Sequence, residues 1–171
     1  MVERFWDEKG GGFYFTAEGA EHVFHRRKDV YDSAVPSGNS VAMLNLLRLA
    51  RLSGNSSYEE KASRISRVFA GEVKMAPTAH TFMLLAVDFA VGPAYNVVLV
   101  GDSNEGSTRA MLRVLRENYL PNMVASLKKP SETGLGYERI GGKATVYVCR
   151  GQTCMPPTNS VEKMLELLGI S

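Results

Sequence analysis

Asp32, Ser37, Asn39, Ser40 and His80 are the side chains in this sequence whose types and spacing best suit chemistry on a small polar molecule. Four of them fall in the run Tyr31-Asp32-Ser33-Ala34-Val35-Pro36-Ser37-Gly38-Asn39-Ser40, at the entrance of a very apolar segment. A carboxylate and an imidazole are the groups expected for general acid–base work on a sugar hydroxyl or ring carbon. Asp7 joins Asp32 and His80 on that catalytic roster, and Ser37, Asn39, Ser40 and Tyr14 are the expected ligand-binding groups. Trp6, Phe13 and Tyr14 offer aromatic faces on which a sugar could stack. Each choice has a plainer counterpart. Ser and Asn are the ordinary N-cap residues of any helix, and capping is the simpler account of the run. A histidine at the start of an apolar helix is more often a hydrogen-bonded core group, and an aromatic cluster beside Gly10-Gly11-Gly12 more often packs a hairpin.

The second candidate chemistry is redox. Cys149 and Cys154 are the only cysteines and enclose Arg150-Gly151-Gln152-Thr153. The spacing is wider than the two intervening residues of a thioredoxin-like motif, yet a loop can bring such a pair within bonding range, and Arg150 could lower a thiol pKa. Two reduced thiols, one of them buried, is the simpler expectation. No spacing of His22, His25 or His80 with the cysteines matches a zinc pattern, so neither a metal nor a cofactor is expected. Gly101-Asp102-Ser103-Asn104-Glu105 follows a strand and opens a helix, where phosphates are bound in α/β folds. It lacks a dinucleotide or P-loop fingerprint, Asp102 and Glu105 would repel a phosphate, and helix capping is the expected role.

The elements that must position these residues are readable in outline. Phe13-Tyr14-Phe15-Thr16-Ala17 and His22-Val23-Phe24-His25 read as the arms of a β-hairpin. Residues 40–52 form a helix whose polar residues recur as one narrow stripe, Asn45, Arg48 and Arg51. Ser57-Tyr58-Glu59-Glu60 supplies a capping-box pattern for a second helix with Tyr58, Ala62, Ile65 and Phe69 on one face. Residues 78–90 are again apolar nearly all round. Buried, amphipathic, buried is the order of an inner–outer–inner helical layer. After Gly92-Pro93 the character changes: strand 95–100, a helix through Tyr119, a weaker strand 123–127, a polar loop 128–143, a strong strand 144–149 and a last helix ending at Gly169, in the order β-α-β-β-α.

Composition limits the partners. The chain has 171 residues, 44% hydrophobic and 22% charged, with a formal net charge of +2. That is ordinary globular composition, and the charge is too small to suggest a nucleic-acid footprint. The one basic cluster, His25-Arg26-Arg27-Lys28, reads as a solvated strand end or loop rather than an anion site. No segment has the roughly 20 apolar residues of a membrane span, and the N-terminus lacks signal-peptide character. A cytoplasmic location is expected.

Gly11-Gly12-Phe13-Tyr14, the run 31–42 and Cys149-Arg150-Gly151-Gln152-Thr153-Cys154-Met155-Pro156-Pro157 together resemble the YyaL-type family, the spermatogenesis-associated, thioredoxin-domain-containing proteins. The resemblance covers essentially the whole chain in three motifs in the same order. It implies the C-terminal part of a longer protein, in which a thioredoxin-like domain precedes an (α/α) toroid similar to those of glucosamine epimerases and six-hairpin glycosidases. The thioredoxin-like domain and the remaining toroid helices would then be partners of this chain.

The expected fold is thus mixed α and β. Residues 1–92 form a partial toroid-like helical region with an N-terminal hairpin and about three helices, and residues 93–171 a small α/β unit. The expected function is that of an uncharacterised module of a YyaL-type protein, tied to carbohydrate metabolism by fold analogy, binding or acting on a carbohydrate-like small molecule in the full-length form. Thiol–disulfide chemistry at Cys149 and Cys154 is the first alternative. The second is a non-enzymatic assembly domain that forms a homodimer through the uncovered flank of its apolar helices.

Overall fold

The computed structural model describes residues 1–20, 25–132, 136–151 and 153–170. It divides into two compact units, Met1–Val91 and Gly92–Ser171. Among the described residues the architecture is mixed, with six α-helices and one four-stranded sheet.

The first unit begins with a short helix, α1 (Val2–Phe5), which the sequence reading does not anticipate. Behind it, Phe13, Tyr14 and Phe15 run as an extended segment held by single bridges, Trp6 to Phe13 and Tyr14 to Lys28, with the Phe15 N–H donating to the Arg27 carbonyl at 2.8 Å. The outgoing arm of the expected hairpin is therefore extended and partnered. Its expected return arm lies outside the described residues except for His25.

Helix α2 (Gly38–Ser53) starts where the small polar residues predict. Ser37 is its N-cap and accepts from the Ser40 N–H at 3.1 Å, while Gly54 ends it in the left-handed region at φ 70°. Asn55 caps α3 (Ser56–Met75), so the helix starts ahead of the Ser57-Tyr58-Glu59-Glu60 pattern. Its apolar face buries Ala62, Ile65 and Phe69. Helix α4 (Thr81–Val91) follows a 3₁₀ turn at Pro77–Ala79 and packs, like α3, against α2.

The expectation that α2 and α4 are buried inner helices, α2 over most of its circumference, needs correction. Met83, Ala86 and Phe89 of α4 are buried, but Leu84 is 38%, Leu85 50% and Val91 80% exposed, and Leu49 and Leu52 of α2 are about half exposed. Apolar composition does not reveal which sides of a helix meet a neighbour within its own unit.

In the second unit, β1 (Tyr95–Val100) lies at the centre of the sheet. It pairs in parallel with β2 (Met123–Lys128), to which it is joined by α5 (Gly106–Glu117), and antiparallel with β3 (Thr145–Arg150). A two-residue strand β4 (Thr153–Cys154) pairs with β3 at the edge, giving the order β2-β1-β3-β4. Val97, Leu99, Val146 and Val148 fill one sheet face beneath Met111 of α5 and Met164 and Leu168 of α6 (Val161–Leu168). Ser160 caps α6 through the Lys163 N–H and Gly169 closes it, as the local sequence predicts.

Gly101 has a packing reason to lack a side chain. A Cβ there would collide with Thr108 Oγ1. The capping role expected of the 101–105 loop is overturned. Glu105 is the N-cap residue of α5 but makes no side-chain cap bond, because its carboxylate is drawn to Arg139 at 2.7 Å.

Candidate functional site

The helix entrance singled out by the sequence is the wall of a cavity. Its volume is about 530 Å³, and it lies between the segment Phe13-Tyr14-Phe15, Met1 with Phe5 of α1, and the approach to α2 from Tyr31 through Asn39. Phe5, Phe13, Tyr14, Phe15, Tyr31, Val35 and Pro36 supply the apolar surface, and Asp29, Ser33 and Ser37 the polar points. A mostly apolar cleft of a few hundred cubic ångströms with a few placed polar groups is the usual form of a small-molecule site.

Asn39 builds this cavity more than it decorates it. Its Oδ1 accepts from the Phe13 N–H at 2.7 Å, while its Nδ2 donates to the Phe13 carbonyl at 2.9 Å and to the Asp29 carbonyl at 2.9 Å. The side chain thus mimics a strand edge for the Phe13 peptide, on the side that its N–H and carbonyl face. Ser37 also lines the cavity, with its Oγ 2.7 Å from Ser40 Oγ.

Asp32 stands behind that wall with both carboxylate oxygens occupied. Oδ1 accepts from the Ser37 N–H at 2.8 Å, and Oδ2 accepts from the N–H groups of Phe82 and Met83 at 2.9 and 3.0 Å. It caps α4, where a carboxylate satisfies orphan amides and meets the positive end of the helix dipole. His80 is buried, its Nδ1 2.9 Å from the Val30 carbonyl, with the Tyr31 ring edge-on at 6.4 Å. Asp32, Ser40 and His80 do not line the cavity, whereas Tyr14, Ser37 and Asn39 do.

Asp7 is likewise committed. Its Oδ1 accepts from the N–H groups of Lys9 and Gly10, both at 2.9 Å, and its Oδ2 takes the Lys28 ammonium at 2.7 Å and the Tyr14 hydroxyl at 3.0 Å. The Lys28 contact first, then the Gly10 amide, holds the Asp7 carboxyl well below the usual carboxylate range. The same bond to Asp7 raises the Tyr14 phenol. Arg26 lies 4.1 Å from the Tyr14 ring centre and donates to the carbonyls of Thr16 and Arg4, so it braces the Tyr14 segment, while His25 and Arg27 are exposed in an irregular stretch. Trp6, expected on a stacking platform, is buried edge-on against Phe13 at 4.9 Å and does not face the cavity.

The sequence reading missed Tyr31, Phe5, Phe15 and Val35 as cavity wall. Tyr31 and Val35 carried one available signal, since both are large apolar residues inside an otherwise small and polar run.

The cysteines correct a second expectation. Cys149 and Cys154 are joined by a disulfide with Cα atoms 3.9 Å apart, and no free cysteine is present among the described residues. They are direct cross-strand partners in β3 and β4, which the wide spacing in sequence concealed. Gly151, at φ 61°, belongs to the tight turn that makes this register possible. A loop this short contributes only about 2 kcal/mol by the chain-entropy estimate.

Among the described residues no three His, Cys, Asp or Glu side chains converge to hold a metal ion, and no helix is long and apolar enough to cross a membrane.

No family model matches this chain. Its sequence is similar to spermatogenesis-associated protein 20 from rat, 30% identical over 96% of the chain, and from human, 29% identical over the same share. An uncharacterised protein of Caenorhabditis elegans is 28% identical over 96%. The chain spans about a fifth of the length of these relatives, 22% of the two mammalian proteins and 23% of the nematode one. This homology supports reading the chain as a partial module of that kind of protein.

Proposed function

We propose that the first unit is a binding module for a carbohydrate-like small molecule, acting as one part of a larger cytoplasmic protein of the spermatogenesis-associated type with an (α/α) toroid. The observation that carries the reading is the cavity at the α2 entrance. Its rings from Tyr14, Phe15 and Tyr31 suit the C–H faces of a sugar ring, and Ser33, Ser37 and Asp29 suit its hydroxyls. Binding is favoured over turnover, because Asp32 and Asp7 have both oxygens engaged by protein donors and His80 lies outside the wall.

A thermal-shift screen against sugars, sugar phosphates and amino sugars tests it, since a ligand of the folded state raises the midpoint. One sugar class should raise the midpoint of the unaltered chain and lose that effect in Tyr31→Ala, whose side chain is 59% exposed and so removable at little cost to the fold. No shift with any compound overturns the proposal.

A second reading, thiol–disulfide exchange, is favoured by one observation, the closed Cys149–Cys154 bridge on an edge hairpin. Titration of free thiols in the folded chain with and without reductant checks it. Two thiols reactive in both conditions would sink it.

A further inference from the structure

We infer that Cys154 is the sulfur through which the hairpin exchanges with small monothiols, forming a mixed disulfide at that position while Cys149 serves as the shielded resolving thiol. The inference rests on the thiol–disulfide reading above and adds to it the attacked atom and the class of substrate.

The two cysteines are unequal in a way the sequence does not show. Cys149 is 7% exposed, within β3, whereas Cys154 is exposed on the two-residue edge strand β4. Exchange requires a thiolate to approach one sulfur in line with the S–S bond, so access decides which sulfur is attacked. Cys149 is flanked by Val148 on the face that packs against α5 and α6, and its own side chain lies on the opposite sheet face. Its partner Cys154 lies on the edge strand β4 and is exposed.

The hairpin is also built to survive opening of the bridge. The Met155 N–H donates to the Val148 carbonyl at 2.9 Å, and Val146 and Thr158 exchange backbone bonds at 2.8 and 3.1 Å. Met155 packs against the core of the unit. These ties lie C-terminal to Cys154 and do not depend on the S–S bond, so the two sulfurs remain opposed after reduction and the bridge can reform.

The chemistry balances with a monothiol as the named reductant. Its thiolate bonds to Cys154 Sγ, the Cys149–Cys154 bond breaks, and Cys149 leaves as a thiolate that takes up a proton. A second monothiol then attacks the mixed disulfide, releasing the small disulfide and the Cys154 thiol. Two monothiols are oxidised and one protein disulfide is reduced to two thiols. In the reverse direction Cys149 resolves a mixed disulfide held on Cys154.

The test uses glutathione as the probe. Cys149→Ser and Cys154→Ser each leave one thiol, and circular dichroism confirms that both variants fold. With glutathione disulfide, the Cys154 thiol of Cys149→Ser should form its adduct about tenfold or more faster than the Cys149 thiol of Cys154→Ser, the difference vanishing in denaturant. In the unaltered chain, excess reduced glutathione should open the bridge. Equal rates in the folded variants, or a faster Cys149, overturn the assignment of Cys154 while leaving exchange itself standing. A bridge that stays closed in the folded chain under excess glutathione overturns both.

Discussion

The side chain of Asn39 pairs with the peptide of Phe13 as a strand edge would, accepting its N–H at 2.7 Å and donating to its carbonyl at 2.9 Å across 26 residues of sequence. This relationship fixes the floor of the cavity to the first turn of α2. Asn39→Ala leaves both buried Phe13 groups and the Asp29 carbonyl without partners, which should cost about 2–4 kcal/mol. Urea unfolding checks the value. A loss under about 0.5 kcal/mol would mean that the pairing is replaced by water at little cost.

Asp32 ties the α2 approach to α4, and its removal should be felt as a lost helix cap. Asp32→Ala is expected to destabilise the chain by about 1–3 kcal/mol, with hydrogen exchange rising first at the amides of Phe82 and Met83. Unchanged protection at those amides would contradict the capping role.

Asp7 predicts an acid-labile contribution. Its folded-state carboxyl lies below its unfolded value of about 3.9, because Lys28 and the Gly10 amide hold the charged form, aided by Tyr14 and Lys9 and opposed by partial burial. The unfolded chain therefore binds the proton first. The contribution is complete above about pH 4 and is lost as pH falls through the folded value. Asp7→Asn should flatten stability against pH below about pH 4. The same variant should lower the alkaline titration of Tyr14, which the bond to Asp7 raises, as followed by ultraviolet absorbance.

Gly101→Ala should destabilise the second unit by about 1–3 kcal/mol, since the new methyl collides with Thr108 Oγ1 and meets the Ala144 Cβ at 3.3 Å. The companion Gly101→Ala with Thr108→Ala should recover part of the loss, because it removes the nearest atom. Equal stability of the two variants would show that backbone movement at β1, not the contact, sets the cost.

Closure of the Cys149–Cys154 loop should stabilise the chain at the low end of the range for disulfides. Reduction is expected to lower unfolding free energy by about 2 kcal/mol, in keeping with a loop this short. Unfolding with and without reductant measures it.

What the sequence alone determined was local. Ser37 and Gly169 marked helix ends because caps act across only a few residues, and the β-branched runs at β1 and β3 declared strands. The amphipathic face of α3 was legible for the same reason, as periodicity is a property of the segment itself. The residues of the polar run before α2 look alike in sequence, while the fold gives them different tasks. Asn39 serves Phe13, Asp32 serves amides 50 and 51 residues away, and Ser37 and Ser40 act within their own turn. The register that opposes Cys149 and Cys154, the Asp7–Lys28–Tyr14 contact and the exposure of Leu84 and Leu85 were decided by tertiary structure alone. Such pairings depend on which surfaces meet when the chain closes on itself, and neither propensity nor periodicity encodes that choice.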